Sequence, residues 1–173
     1  IIDGLGSDNE THSIYKARQH RIRLLESYKH RGIGSLYAAI TEKIGLGFGG
    51  EGKTMGLAPY GAKNKIFKNI FFKDIETNFS KIMYRHPLSD VLNHENENFR
   101  RPKLKIKIKQ NKNKKMSKYF KDLAFSIQDL AEDTMAHLGK YTKKITKEKK
   151  LCLAGGVALN SVGNNKILKK SNF

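Results

Sequence analysis

The 173-residue sequence has one cysteine, Cys152, so it can form neither an intramolecular disulfide nor a cysteine-based metal site. Cys152 lies within the apolar run LCLA, which reads as a buried structural thiol in a reducing, cytoplasmic setting. No apolar run approaches the roughly 20 residues that a membrane helix needs, and no secretory signal opens the chain. Acidic residues are scarce: 16 Asp and Glu stand against 34 Lys and Arg, for a formal net charge of +18. Such an excess ordinarily points to nucleic acid or an anionic surface. Here it is mostly lysine, spread along the chain and not interleaved with aromatics for base stacking, so it reads as a solvated surface. The six histidines, His12, His20, His30, His86, His94 and His137, show no metal-ligand spacing such as HxxxH, and His137 reads as structural. There is no internal repeat.

The length suits one domain of roughly 100–200 residues. Ile1-Ile2-Asp3-Gly4 reads as the end of a strand already in progress, and the sequence reads as a piece of a longer protein. Ser13-Ile14-Tyr15 and Arg21 to Leu25 read as strands joined by a turn around Lys16 to His20, forming a meander with Ile1-Ile2. Ile33, Leu36, Tyr37 and Ile40 recur at helical spacing. Phe67 lies in IFKNIFF, a strand or short helix. A helix-like stretch runs from Pro87 to Val91, a surface loop occupies 93–102, and KLKIKIK (Lys103 to Lys109) alternates as a strand with one lysine face. Asn111 to Lys115 reads as an exposed turn. The longest helix runs from Ser117 to Ile145, with Ser117 as its cap. Leu151 to Ala154 reads as a strand, Gly155-Gly156 as a turn, and Val157 to Lys169 as a helix.

Glycine is concentrated between Gly45 and Gly61, in GLGFGGEGKTMGLAPYG. Glycine weakens both helices and strands, so the run reads as a loose loop or as backbone that must approach a ligand closely. Within it Lys53 can extend to a phosphate or carboxylate, with Glu51 to orient it. LCLAGGVALN has the layout strand, Gly-Gly, helix, which can hold an anion on free N–H groups at a helix start; it can equally be a packing turn. It lacks the GK[ST] ending of a Walker loop and the third glycine of the dinucleotide fingerprint. Asn160 can reach a ligand from the first turn of that helix. Asp3, at a strand end, is a candidate metal ligand and equally a turn former.

Taken in order, DGLG, GIGSLYAAIT, EGKTMGLAPYG, SIQ and CLAGGVALN resemble the carbamoyltransferase family of nodulation-type and antibiotic-tailoring O-carbamoyltransferases. The resemblance covers the whole chain. It implies an α/β fold, part of an actin-like, sugar-kinase-like domain with a mixed sheet and packed helices. Residues 1–173 would be an incomplete N-terminal, nucleotide- and metal-binding domain, without the C-terminal domain that processes carbamoyl phosphate. The implied reaction uses ATP and carbamoyl phosphate to form a carbamoyl-adenylate and passes the carbamoyl group to a hydroxyl acceptor such as a sugar. An iron-type divalent metal would be held by two histidines and two aspartates. Carried across, Asp3 matches a metal ligand and Gly4 and Gly6 match the turn beside the adenylate. Gly49, Gly50 and Lys53 match the nucleotide-side loop, and Gly155, Gly156 and Asn160 match the nucleotide motif. The rest of the parent chain is then a partner of this segment. Ser7 departs from the pattern, which commonly has an acid there, and so does Gly163, where alanine is usual. The family's histidine pair and second aspartate are not in this sequence, so catalysis by this segment alone is not expected. Two alternatives stay open: a relative of the tRNA threonylcarbamoyladenosine transferase, against which the DG motif speaks, and a basic polyanion-binding module, for which only the charge speaks.

Overall fold

The computed structural model describes residues 1–6, 10–29, 32–68, 111 and 115–173. The chain is mixed α/β. Strands β1 (Glu10–Arg18) and β2 (Arg21–Lys29) form an antiparallel hairpin. Its turn is shorter than the sequence predicts, only Gln19 and His20, and Gln19 takes a positive φ of 52° to close it. Ile2 bridges His12 antiparallel, so the expected three-segment meander forms. Among the described residues the sheet is antiparallel rather than mixed.

Helix α1 (Ile33–Ile44) presents Ile33, Leu36, Tyr37, Ile40 and Ile44 to the interior. They meet Phe120, Leu123, Ala124, Ile127, Leu130 and Met135 from the long helix α4 (Lys118–Thr146). The Ile, Leu, Phe and Met side chains among them contribute about 1.5–3 kcal/mol of transfer free energy each when fully buried. Ser117 occupies the N-cap position of α4 as expected, but its side chain makes no capping hydrogen bond.

The glycine-rich run departs from the loop reading. Gly45 ends α1 in the left-handed conformation, and Glu51–Leu57 is helical (α2), followed by a 3-10 turn at Ala58–Tyr60. Tertiary contact overrides poor propensity here: Thr54 is fully buried and its hydroxyl lies 2.8 Å from that of Thr41 on α1. A four-residue helix, α3 (Lys65–Lys68), follows, so IFKNIFF is helical at its start. Asp122 on α4 then fastens the chain after α2. It accepts from the Ala62 N–H and the Asn64 amide, each at 3.0 Å, and from the Lys118 ammonium.

Asn111 is buried, not exposed: it donates to the Ile44 carbonyl at 2.9 Å and so satisfies an end-of-helix acceptor of α1. The readings for 69–110 lie outside the described residues, as does Ser7. Cys152 is exposed, which corrects the buried-thiol reading. Among the described residues Leu151 to Ala154 has no strand partner ladder; the Ile2 N–H bonds the Ala154 carbonyl at 2.9 Å, and Cys152 and Ala154 face out.

Residues 156–159 form a 3-10 turn, and the last helix, α5 (Ser161–Ser171), begins later than expected, with Asn160 as its N-cap rather than inside it. Helix α5 packs closely on α4. A Cβ on Gly163 would collide with the Met135 thioether sulfur, and one on Gly139 would lie 2.9 Å from the Ile167 Cγ2. No helix among the described residues is long and apolar enough to cross a membrane.

Candidate functional site

Three segments converge at Asp3. The Asp3 N–H donates to the Thr11 carbonyl at 2.8 Å, which fixes the strand end against β1. Beyond it the start of α1 comes in very close: a Cβ on Gly34 would lie 2.6 Å from the Gly4 nitrogen and 2.7 Å from its Cα. The Ser35 hydroxyl donates to the Gly4 carbonyl at 2.6 Å. From the other side, Gly155 (φ 96°, ψ 166°) brings its backbone onto Ile2 and Asp3. A Cβ there would collide with the Ile2 carbonyl oxygen and lie 3.3 Å from Asp3 Oδ2. A Cβ on Gly156 would lie 3.1 Å from Asp3 Oδ1. The Val157 N–H closes the turn onto the Ile2 carbonyl at 3.1 Å.

Asp3, Gly4, Gly155 and Gly156 therefore stand together. Asp3 Oδ1 accepts from the Gly4 N–H at 2.7 Å, whereas Oδ2 has no hydrogen-bond partner among the described residues. The N–H groups of Gly155 and Gly156 also lack a partner among those residues. The arrangement is a half-exposed carboxylate beside a turn with free amide donors, able to meet an anion and a cation side by side.

Asn160 ends the same turn. Its Oδ1 accepts from the Gly163 N–H at 2.9 Å, satisfying one orphan donor of α5. The same side chain forms a reciprocal amide pair with Gln128 of α4. The Asn160 Nδ2 donates to Gln128 Oε1 at 2.9 Å, and the Gln128 Nε2 donates to Asn160 Oδ1 at 3.1 Å. Gln128 also donates to Glu132 at 3.0 Å and accepts from the Tyr37 hydroxyl at 2.8 Å. Burial, then the nearby Glu132 and Glu51 carboxylates, hold the Tyr37 phenol well above its ordinary value, so it stays a donor. Behind the network, Lys166 sits 2.7 Å from Asp133 and 3.5 Å from Glu132. Its burial disfavours the charge, but these carboxylates outweigh burial and raise its pKa.

The remaining residues expected from the sequence lie apart from this cluster. The Gly6 N–H bonds the Glu10 carbonyl at 2.7 Å in the entry to β1. Gly49 (φ 76°) lies in an open turn, and the buried Gly50 caps α2, with its carbonyl accepting from Lys53 and Thr54. Lys53 is exposed on α2. Among the described residues no hydrogen bond or ion pair joins Gly6, Gly49, Gly50 or Lys53 to the Asp3 cluster. Helix α2 does approach the Asn160 end, where the Ser161 hydroxyl lies 3.9 Å from the Met55 sulfur. The sequence marked Tyr37 only as a core-facing position and Gln128 only as part of SIQ, and gave Glu132 no role. A polar Gln128 on the apolar stripe of α4, with Glu132 one turn further on, was the available signal.

A strand-end aspartate and a Gly-Gly turn thus stand together, and the turn ends in an asparagine that caps the following helix. The chain belongs to the family described as carbamoyltransferase N-terminus, whose model matches residues 1–173. It is similar to an uncharacterized protein of Methanocaldococcus jannaschii, with 27% identity over 99% of this chain and 29% of that protein. It is 28% identical to the nodulation protein NolO of Bradyrhizobium diazoefficiens, over 87% of this chain and 26% of the relative. It is 30% identical to the nodulation protein NolNO of Sinorhizobium fredii, over 82% of this chain and 19% of the relative. The chain thus spans less than a third of the length of each of these relatives.

Proposed function

We propose that this chain is the nucleotide-side part of an ATP-dependent O-carbamoyltransferase with an actin-like, sugar-kinase-like domain. ATP and carbamoyl phosphate would supply a carbamoyl-adenylate, and the acceptor would be a small molecule with a free hydroxyl, such as a sugar or natural product. The observation that carries the proposal is the Asp3 carboxylate lying against the Gly155-Gly156 turn, 3.1 Å from the place of a Gly156 Cβ. Family membership supports it.

The chemistry is consistent with this placement. Hydrolytic loss of phosphate from carbamoyl phosphate would leave carbamate, a poor electrophile; its oxygen attacks the α-phosphorus of ATP, pyrophosphate leaves, and the carbamoyl group then carries AMP as its leaving group. The acceptor oxygen then attacks the carbamoyl carbon, the bond to the adenylate oxygen breaks, and the hydroxyl proton leaves to solvent or a base. Free backbone donors at Gly155 and Gly156 would stabilise phosphate charge without reorganisation. An aspartate beside a phosphate cradle is repulsive unless a cation lies between them, which favours a divalent metal at this place; its iron type is implied by the family resemblance alone. Among the described residues no three His, Cys, Asp or Glu side chains stand together to hold a metal. Asp3 would therefore contribute one oxygen to a site completed by other residues.

The test is mass spectrometry for carbamoyl-AMP after incubating the complete protein with ATP, carbamoyl phosphate and Fe²⁺. The expected outcome is an adenylate in the wild type and none with Asp3→Ala. A wild type that binds ATP but makes no carbamoyl-AMP would refute the reaction and leave only the fold resemblance.

A further inference from the structure

We infer that Gln128 is a positioning residue: it fixes the Asn160 carboxamide so that the 155–160 turn stands preformed and one Asn160 N–H remains for a phosphate oxygen of the ligand. This rests on the reading of Asn160 as a nucleotide-side residue proposed above.

An amide side chain can be rotated to exchange its oxygen and nitrogen unless its neighbours forbid it. Here both orientations are determined by groups that cannot reverse. The Gly163 backbone N–H only donates, so it requires Asn160 Oδ1 at 2.9 Å. The Glu132 carboxylate accepts, so it requires Gln128 Nε2 at 3.0 Å. With both ends fixed, the two amides meet donor to acceptor in both directions, across 32 residues of sequence. The donor inventory then closes for Gln128. Its two N–H groups go to Glu132 and Asn160, and its oxygen accepts from Tyr37 and Asn160. Gln128 is 4% exposed, so these partners are not exchanged with water.

Asn160 does not close. Its oxygen takes two donors, but only one of its two N–H groups has a partner among the described residues. Asn160 is half-buried, at the end of the turn that carries Gly155 and Gly156. A rigidly held amide with one open N–H beside a turn with open backbone N–H groups fits an anionic oxygen. The shared core polar pair by itself would need no open donor.

The test uses the complete protein, with ATP as the probe. Affinity is measured by calorimetry for wild type, Gln128→Leu, Asn160→Ala and the double variant, with hydrogen exchange followed by mass spectrometry across 155–163. Each single variant is expected to weaken ATP binding about tenfold, the value of one well-placed hydrogen bond. The double variant should be no weaker than the worse single one, because the two residues act as a unit. Gln128→Leu should also speed exchange at 155–163, while exchange in α1 stays as in the wild type. Unchanged ATP affinity and exchange in Gln128→Leu, with Asn160→Ala weakened, overturns the positioning role. Faster exchange in Gln128→Leu, with ATP affinity indifferent to Asn160→Ala, supports Gln128 as the holder of the turn and overturns the nucleotide reading instead. Should Gln128→Leu not fold, Tyr37→Phe removes a single bond to Gln128, with a several-fold loss of ATP affinity expected and wild-type affinity counting against the role.

Discussion

Replacing Gly155 with alanine puts the geometry of the turn at risk in a way that can be worked out in advance. At φ 96° and ψ 166° the residue sits in a region open essentially to glycine alone, where an L side chain costs about 1–3 kcal/mol. The added Cβ would also push the Ile2 carbonyl, which holds the Val157 N–H at 3.1 Å, for a further loss of about 1 kcal/mol. Against this, alanine restricts the unfolded chain and returns about 0.4–1 kcal/mol. The net expectation is a loss of about 1–3.5 kcal/mol, read as a shifted urea midpoint at unchanged slope. Gly156→Ala is the matched comparison. Its φ is not positive, and the nearest atom to a new Cβ is Asp3 Oδ1 at 3.1 Å, on a side chain that can turn away. It should lose less than about 1 kcal/mol while disturbing the Asp3 carboxylate and with it any carbamoyl transfer. Equal stability of Gly155→Ala and wild type would refute the close-approach account, and so would equal destabilisation by the two substitutions.

Two further expectations concern protonation and burial. Asp122→Asn keeps one acceptor for the Ala62 N–H but sets an amide N–H₂ against the Asn64 and Lys118 donors and removes the charge, and should cost about 2–4 kcal/mol by urea unfolding. For Asp122 itself burial raises the carboxyl pKa, but the bonds from Lys118, Ala62 and Asn64 outweigh it and the net direction is down from 3.8. Its stabilisation is therefore complete above about pH 4 and is lost as pH falls through the lowered value, so the variant's acid unfolding should be less steep. His12 runs the other way: burial lowers its pKa from 6.5 to about 4. In that window the unfolded state holds the extra proton, so stability should rise with pH by about 3 kcal/mol in all. Unfolding curves from pH 4 to 7 should flatten in His12→Phe, and an unchanged slope would refute the assignment.

The two long amphipathic helices and the hairpin were legible because periodicity reports burial directly. Ile33, Leu36, Tyr37 and Ile40, and the stripe from Phe120 onward, all face the core as their spacing requires. Helix α2 was not legible, since Gly50, Gly52 and Gly56 weaken any local preference and the Thr41–Thr54 contact that holds it is a tertiary one. Asn111 looked like part of a charged loop, yet its amide serves the end of a helix 67 residues earlier, which no local pattern can announce. At the site, Asp3, Gly4, Gly155 and Gly156 were named from motif alone and do meet. Asn160 was named, but its role as a cap was missed although asparagine directly ahead of a helical stretch is a recognised cap signal. Gln128 and Glu132 act through contacts across the fold; SIQ contains Gln128, but its role was visible only as a polar residue on an apolar stripe, with Glu132 one turn further on.

Gly163 is the position where the family resemblance would place alanine, and the fold shows where the missing methyl went. The thioether of Met135 occupies that space, its Cε 2.9 Å from where the Cβ would stand, and Met135 is fully buried. The two positions share one volume across the α4–α5 seam. A relative with alanine on one side is expected to carry a shorter or differently bent residue on the other. An evolutionary path between the two arrangements runs more easily through trimming Met135 first, which leaves a small void, than through adding the methyl first, which leaves an overlap.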